Sequence, residues 1–202
     1  MSGNRWRVRA PQGNVLRGLY RLACGDAAGI REFGNSTAAF SASIAPLLAF
    51  PIVGSALVGL QGHWIIAVSI FLSRICGVLI QPAITQWSAH RAGQGATWLM
   101  TSTALNWSIW LIFPLVLVGI VLGSSLVNLG LPQQAATGIV FGLIALYMLW
   151  YQGFILRSGL NFSIWRALGV VVVMNLAIGI AYVIPYLFHP GLLRSILSAS
   201  AG

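Results

Sequence analysis

Long apolar stretches recur five times along the chain, separated by short polar or glycine-containing segments. Each is long enough for a helix to cross a hydrocarbon core about 30 Å thick, which takes roughly 20 residues. Runs such as Val170–Val173 do not alternate between apolar and polar positions, as the strands of a membrane barrel do. The pattern predicts an all-α polytopic membrane protein with five transmembrane helices, at Ala38–Leu60, Trp64–Thr85, Ala104–Val127, Ala136–Leu156 and Ala167–Phe188.

A shorter amphipathic pattern precedes the first span. Over Val15–Phe33, apolar residues recur at helical spacing on one side, whereas Arg17 and Arg21 fall one turn apart on the other. Such an interfacial helix lies in the headgroup plane, where Arg17, Arg21 and Arg31 are expected to contact anionic headgroups. The alternative is a segment that packs on the loops of the bundle. The Gly25–Asp26 pair is expected to break or bend the helix.

Composition shows which solvent surrounds the chain. Apolar residue types make up 58% of the 202 residues and charged types 6%, with a mean hydropathy of +0.87. A soluble domain carries roughly 25% charged residues, so this chain cannot cover a water-facing surface and needs lipid around most of it. Every one of the 11 basic residues is an arginine. This bias is typical of GC-rich bacterial genomes and predicts the bacterial inner (cytoplasmic) membrane.

The arginines also predict an orientation. Nine of them fall in the N-terminal segment, the second loop and the fourth loop, against one in the other loops and tail. The positive-inside rule then places the N-terminus in the cytoplasm and the C-terminus outside. The chain divides into a basic cytoplasmic segment with the amphipathic helix (1–36), a five-helix transmembrane domain (37–190) and a short external tail (191–202).

The net charge of +9 points to lipid as a partner. In a soluble protein such a charge suggests nucleic acid. Here six arginines precede the first span instead of lining a groove, so anionic lipid headgroups are the expected partners and nucleic acid is not.

Side chains able to do catalytic chemistry are scarce. Asp26 and Glu32 are the only carboxylates, and both precede the first span. Acid pairs, intramembrane proton relays and oxygen-ligated metal sites therefore lack their parts. The three histidines fall in separate loops or ends, so none lies within a span to activate a serine. The sequence predicts a non-enzymatic protein with no catalytic, metal or cofactor-binding residue.

Arg74 stands near the middle of the second span. A central arginine costs about 2.5–3.5 kcal/mol on insertion scales, so it needs a partner. With no carboxylate in any span, Asn106 and Asn175 on other spans are candidate partners. Two interpretations stay open: Arg74 is an interhelical hydrogen-bond anchor, or it holds an anionic group inside the bundle.

Small residues repeat at four-residue spacing in two consecutive spans. Gly119 and Gly123 lie in the third span, Gly138 and Gly142 in the fourth. In an antiparallel hairpin both pairs fall near the same end, which predicts a close approach of the two backbones. The alternative use of the motif is a seam between two copies of the chain.

Several local runs carry a family resemblance. They are Gly25-Asp26 leading to Phe40, Ser43 and Pro46; Asn106-Trp107-Ser108 opening the third span; and Trp150-Tyr151 followed by Arg157-Ser158-Gly159-Leu160. With the basic N-terminal segment, five spans and external C-terminus, the chain resembles the Yip1-like membrane proteins, particularly their small bacterial members, over roughly Leu16–Pro190. The Asp-Leu-Tyr-Gly-Pro motif of the eukaryotic members is absent, so a role in Rab-dependent traffic is not implied. The resemblance implies a non-enzymatic membrane organiser or adaptor.

Two functions remain open on the sequence. The first is a membrane organiser, adaptor or accessory subunit that works through helix packing and lipid contacts, with another membrane protein or a second copy as its partner. The alternative is a small-solute transporter or channel with Arg74 in its pathway. Prolines within the spans favour the alternative, whereas the missing internal repeat and the missing acids favour the first.

Overall fold

A computed structural model describes residues 13–188. Within that range the chain is helical and has no strand, which confirms the all-α prediction. The helices are α1 Val15–Ala23, α2 Thr37–Leu60, α3 Trp64–Arg91, α4 Trp98–Ser108, α5 Ile112–Asn128, α6 Gln133–Leu160 and α7 Ile164–Phe188. The predicted external tail, 191–202, lies outside the described residues.

Five segments are long and apolar enough to cross a membrane, so the five-span prediction is confirmed and the chain is an integral membrane protein. Four of them are single helices. The third combines α4 and α5 across a 3-10 turn at Ile109–Leu111. The break precedes Pro114, which has no N–H to offer the carbonyl of Trp110.

The helices extend beyond the predicted spans. Helix α3 runs to Arg91 instead of stopping at Thr85, and α6 ends at Leu160 instead of Leu156. Hydropathy marks only the apolar part of a span, whereas backbone hydrogen bonding continues into polar turns. Left-handed residues follow the ends of both helices, Gly93 after α3 and Asn161 after α6.

The bundle is packed unevenly along its length. Helix α3 packs against α2 and α7, and α4 lies against α2 and α6. We call the end where α3 and α6 finish and α4 and α7 begin the arginine-rich end. There α4 is buried along most of its length. By contrast, α5 packs mainly against α6. Of the α5 residues that the structure describes, only Gly119 is buried.

The N-terminal segment docks on the arginine-rich end of the bundle. Leu22, Ile30 and Phe33 are buried there in the same apolar core as the ends of α4 and α6. The break expected at the Gly25–Asp26 pair is present, because α1 ends at Ala23 and the chain turns at Gly25, whose φ is +80°. A 3-10 segment, Ala27–Glu32, follows the turn.

The two glycine pairs have different surroundings. A Cβ on Gly119 would lie 2.8 Å from Val140 Cγ1, and one on Gly123 would lie 3.6 Å from Val140 Cγ2. The glycines of α5 therefore pack closely against α6. Gly138 and Gly142 do not take part, since a Cβ on either meets no atom of the described chain within 4 Å. The prediction that both pairs pack within the hairpin needs correcting: the contact is glycine against valine.

Candidate functional site

The buried polar residues of the spans bond to one another across helices. Asn106 of α4 is buried; its Nδ2 donates to Ser43 Oγ of α2 at 2.8 Å, and its Oδ1 accepts from Gln81 Nε2 of α3 at 3.1 Å. Asn106 thus joins three helices. This predicted partner of Arg74 is engaged elsewhere.

The second predicted partner of Arg74 is also engaged elsewhere. Asn175 Nδ2 of α7 donates to Gln152 Oε1 of α6 and to the Val171 carbonyl, each at 2.8 Å. Both amides therefore act as cross-links between helices. Paired in this way, polar side chains fix the register of a membrane bundle.

Helix α7 is fixed to α3 next to Arg74. Pro185 has no N–H, so the carbonyl of Ala181 loses its usual helical donor. The Ser73 hydroxyl of α3 donates to that carbonyl. The proline of α7 thus leaves a carbonyl free for the serine of α3, and this contact places Tyr182 beside Arg74.

Tyr182 is the neighbour that the structure gives Arg74. The guanidinium carbon of Arg74 lies 4.4 Å from the centroid of the Tyr182 ring, in cation–π contact. Gly77, three residues further along α3, provides room for the ring, since a Cβ there would overlap it. The ring shields one side of the guanidinium and supplies no countercharge.

Arg74 faces a crevice of about 500 Å³ between α2, α3, α7 and the start of α5. We call this the Arg74 crevice. Its polar wall includes Arg74, Tyr182 and Trp110. Its apolar wall includes Leu47, Phe50, Ile70, Val78, Ile112 and Phe113. The indole Nε1 of Trp110 is buried and has no hydrogen-bond partner within the described part of the chain.

The two carboxylates of the chain lie in the N-terminal segment. Asp26 Oδ2 is 2.7 Å from Arg21 Nε, while Glu32 Oε1 is 3.6 Å from Arg21 Nη1 and 3.7 Å from Arg17 Nε. The Ala28 N–H and then the Arg21 side chain hold the pKa of Asp26 below its ordinary value. The predicted headgroup contacts Arg17 and Arg21 thus have partners within the chain.

Arg31 completes a basic surface on this segment. Together with Arg17, Arg21 and Glu32 it lines a cavity of about 610 Å³. Three arginines against two carboxylates, Asp26 and Glu32, leave this surface positive. Contact with anionic headgroups stays a prediction for these arginines, and α1 itself lies on the bundle through Leu19 and Leu22.

Sequence reasoning missed the side chains that tie the N-terminal segment down. Tyr147 and Tyr151 of α6 donate their hydroxyls to the carbonyls of Ala23 at 2.8 Å and Leu19 at 3.2 Å. Asn35 donates to the Ala96 carbonyl at 2.9 Å. The available signal was a tyrosine pair four residues apart inside an apolar span, because a buried hydroxyl needs an acceptor.

Comparisons with protein-family models, with curated proteins and with solved structures find no match to this chain. The Yip1-like resemblance therefore stays a prediction.

Proposed function

We propose that the protein is a non-enzymatic membrane organiser or accessory subunit that acts through helix packing and lipid contacts. The observation that carries the proposal is the α5–α6 hairpin. Helix α5 packs mainly against α6 and is exposed along most of its length, so the hairpin offers a two-helix surface. The uncovered Gly138 and Gly142 let another helix approach the α6 backbone closely.

The bonding of the polar residues also supports packing over transport. A solute pathway needs polar groups that are free to face it. Asn106, Gln81 and Asn175 are instead bonded to neighbouring helices. The alternative, a small-solute transporter or channel, draws its support from the Arg74 crevice, which reaches an intramembrane cation. Transport of a solute through the bundle would require these hydrogen bonds between helices to break.

Photo-crosslinking in the native membrane tests the organiser proposal. A photoreactive residue at Val121 of α5, 68% exposed, should give a protein adduct of discrete mass. The matched control is Ile180 of α7, 66% exposed, which should react with lipid alone. An adduct of twice the protomer mass means self-association, and any other discrete mass means a different partner. Lipid adducts alone at both positions would contradict the proposal.

The proposed location is the bacterial inner membrane, with a cytoplasmic N-terminus and an external C-terminus. Cys24 is exposed in the N-terminal segment, and His63 lies at the other end of the bundle, between α2 and α3. In intact cells, a membrane-impermeant maleimide should label a His63→Cys variant that lacks both native cysteines. A Cys76→Ser variant, which keeps Cys24, should be labelled only after permeabilisation. The reverse pattern would invert the orientation.

A further inference from the structure

We propose that the Arg74 crevice binds the phosphate headgroup of an anionic phospholipid, whose acyl chains lie along its apolar wall. This inference goes beyond the organiser proposal and does not depend on whether the α5–α6 hairpin binds a partner. Three features of the crevice support it: the charge of Arg74, the unpaired indole N–H of Trp110 and the apolar rim.

The charge of Arg74 favours an anionic ligand. The guanidinium group is a cation, and Arg74 places it within a membrane-spanning helix. The chain has two carboxylates, Asp26 and Glu32, and both are held by arginines of the N-terminal segment. Because an uncompensated cation is costly at membrane depth, the crevice favours an anion from outside the chain.

The buried indole N–H of Trp110 favours a ligand with hydrogen-bond acceptors. Trp110 lines the same crevice, and its buried Nε1 has no partner among the described residues; leaving such a donor unpaired costs free energy. An indole donates and never accepts. A crevice lined by a cation and by a residue with an unpaired N–H donor suits a ligand that is anionic and rich in acceptors. A phosphate group has both properties, and its oxygens match the guanidinium fork.

The rim of the crevice decides between lipid and a water-borne anion. Phe50, Ile109 and Phe113 at the crevice are exposed apolar side chains of membrane-spanning segments, so they face hydrocarbon. Arg74 lies ten residues from Trp64, which is about 15 Å along the helix. A ligand that enters through this rim needs acyl chains of its own. The crevice therefore fits a phospholipid drawn inwards from its leaflet.

Native mass spectrometry of the full-length chain in detergent tests the assignment, with phosphatidylglycerol or phosphatidylcholine added at equal concentration. The wild type should retain one phosphatidylglycerol after annular lipid is removed, and should not retain phosphatidylcholine. Arg74→Gln should lower the retained fraction about tenfold, since bonds to charged groups are the strong ones. Trp110→Phe keeps the ring but loses the donor, and should lower retention about threefold.

The control variant is Arg91→Gln. Arg91 also lies over an aromatic ring, Trp87 at 4.1 Å, but at the arginine-rich end, so its loss should leave the retained lipid unchanged. Equal retention by wild type and Trp110→Phe at equal thermal stability overturns the proposal, even if Arg74→Gln does not fold. Equal retention of both lipids also overturns it. Displacement of phosphatidylglycerol by inorganic phosphate would assign the crevice to a water-borne anion instead.

Discussion

Leu22→Ala should release the N-terminal segment from the bundle. The Leu22 side chain is fully buried, with 0% of its surface exposed, in the core formed with α4 and α6. Truncating a buried leucine to alanine costs about 2–5 kcal/mol, through lost apolar contact and the cavity left behind. The loss falls on α1 and its contacts, so the segment should open while the five spans remain folded.

The matched control is Leu16→Ala on the same helix. Leu16 is 77% exposed, so its truncation should change stability by no more than about 0.5 kcal/mol. Both variants make the same chemical change at helical positions, which cancels helix propensity. A difference between them therefore reports the docking contact itself.

Limited digestion with trypsin measures this release. The chain has no lysine, and Arg17, Arg21 and Arg31 lie in the docked segment. Cleavage there should be at least about tenfold faster in Leu22→Ala than in wild type, because cleavage tracks the population of the open form. Leu16→Ala should match wild type. Equal rates for the two variants would show that apolar docking does not hold the segment.

Apolar burial should outweigh the ion pairs of this segment. Arg21 and Asp26 approach to 2.7 Å, yet both side chains are substantially exposed to solvent. Exposed pairs contribute little, because water and salt screen them. Leu22, Ile30 and Phe33 are nearly free of solvent contact. The pairs orient the arginines, and the buried side chains hold the segment in place.

The five spans could be predicted from sequence because crossing a membrane imposes a length and a composition on each helix. The amphipathic stretch was visible from the helical spacing of its apolar residues. Its apolar face, however, turned out to be divided: Leu22 is covered by the bundle and Leu16 is not. Periodicity identifies an apolar face, but it does not tell which neighbour covers each part of it.

The surroundings of Arg74 show where sequence reasoning stops. That Arg74 needs a partner followed from its charge within an apolar span, which can be recognised without knowing the fold. Finding Tyr182 requires the register of α3 against α7, which the Ser73–Ala181 bond sets across distant parts of the chain. The local clue was Gly77, which leaves room for a ring, and a lone glycine does not say whose ring fills it.

Gly159→Ala should be the most damaging of the glycine changes in α6. A Cβ at Gly159 would overlap the Thr101 side chain of α4, a helix that is buried along most of its length. Thr101 cannot easily move aside, because its Oγ1 donates to the Thr97 carbonyl at 3.0 Å and the residue is fully buried. Overpacking of this kind costs about 1–3 kcal/mol of unfolding free energy.

Gly142→Ala is the control on the same helix, and it should have the opposite sign. A Cβ there meets no described atom within 4 Å, so alanine should gain roughly 0.5–1 kcal/mol from its better helix propensity. Reversible unfolding in mixed micelles measures both variants at the same protein concentration. If Gly142→Ala destabilised the protein as much as Gly159→Ala, the α6 face at Gly142 would be a contact between copies. The Gly138/Gly142 pair of α6 would then mark a dimer seam, while the close contact that α6 makes inside the bundle through its own glycines is at Gly159, outside that pair.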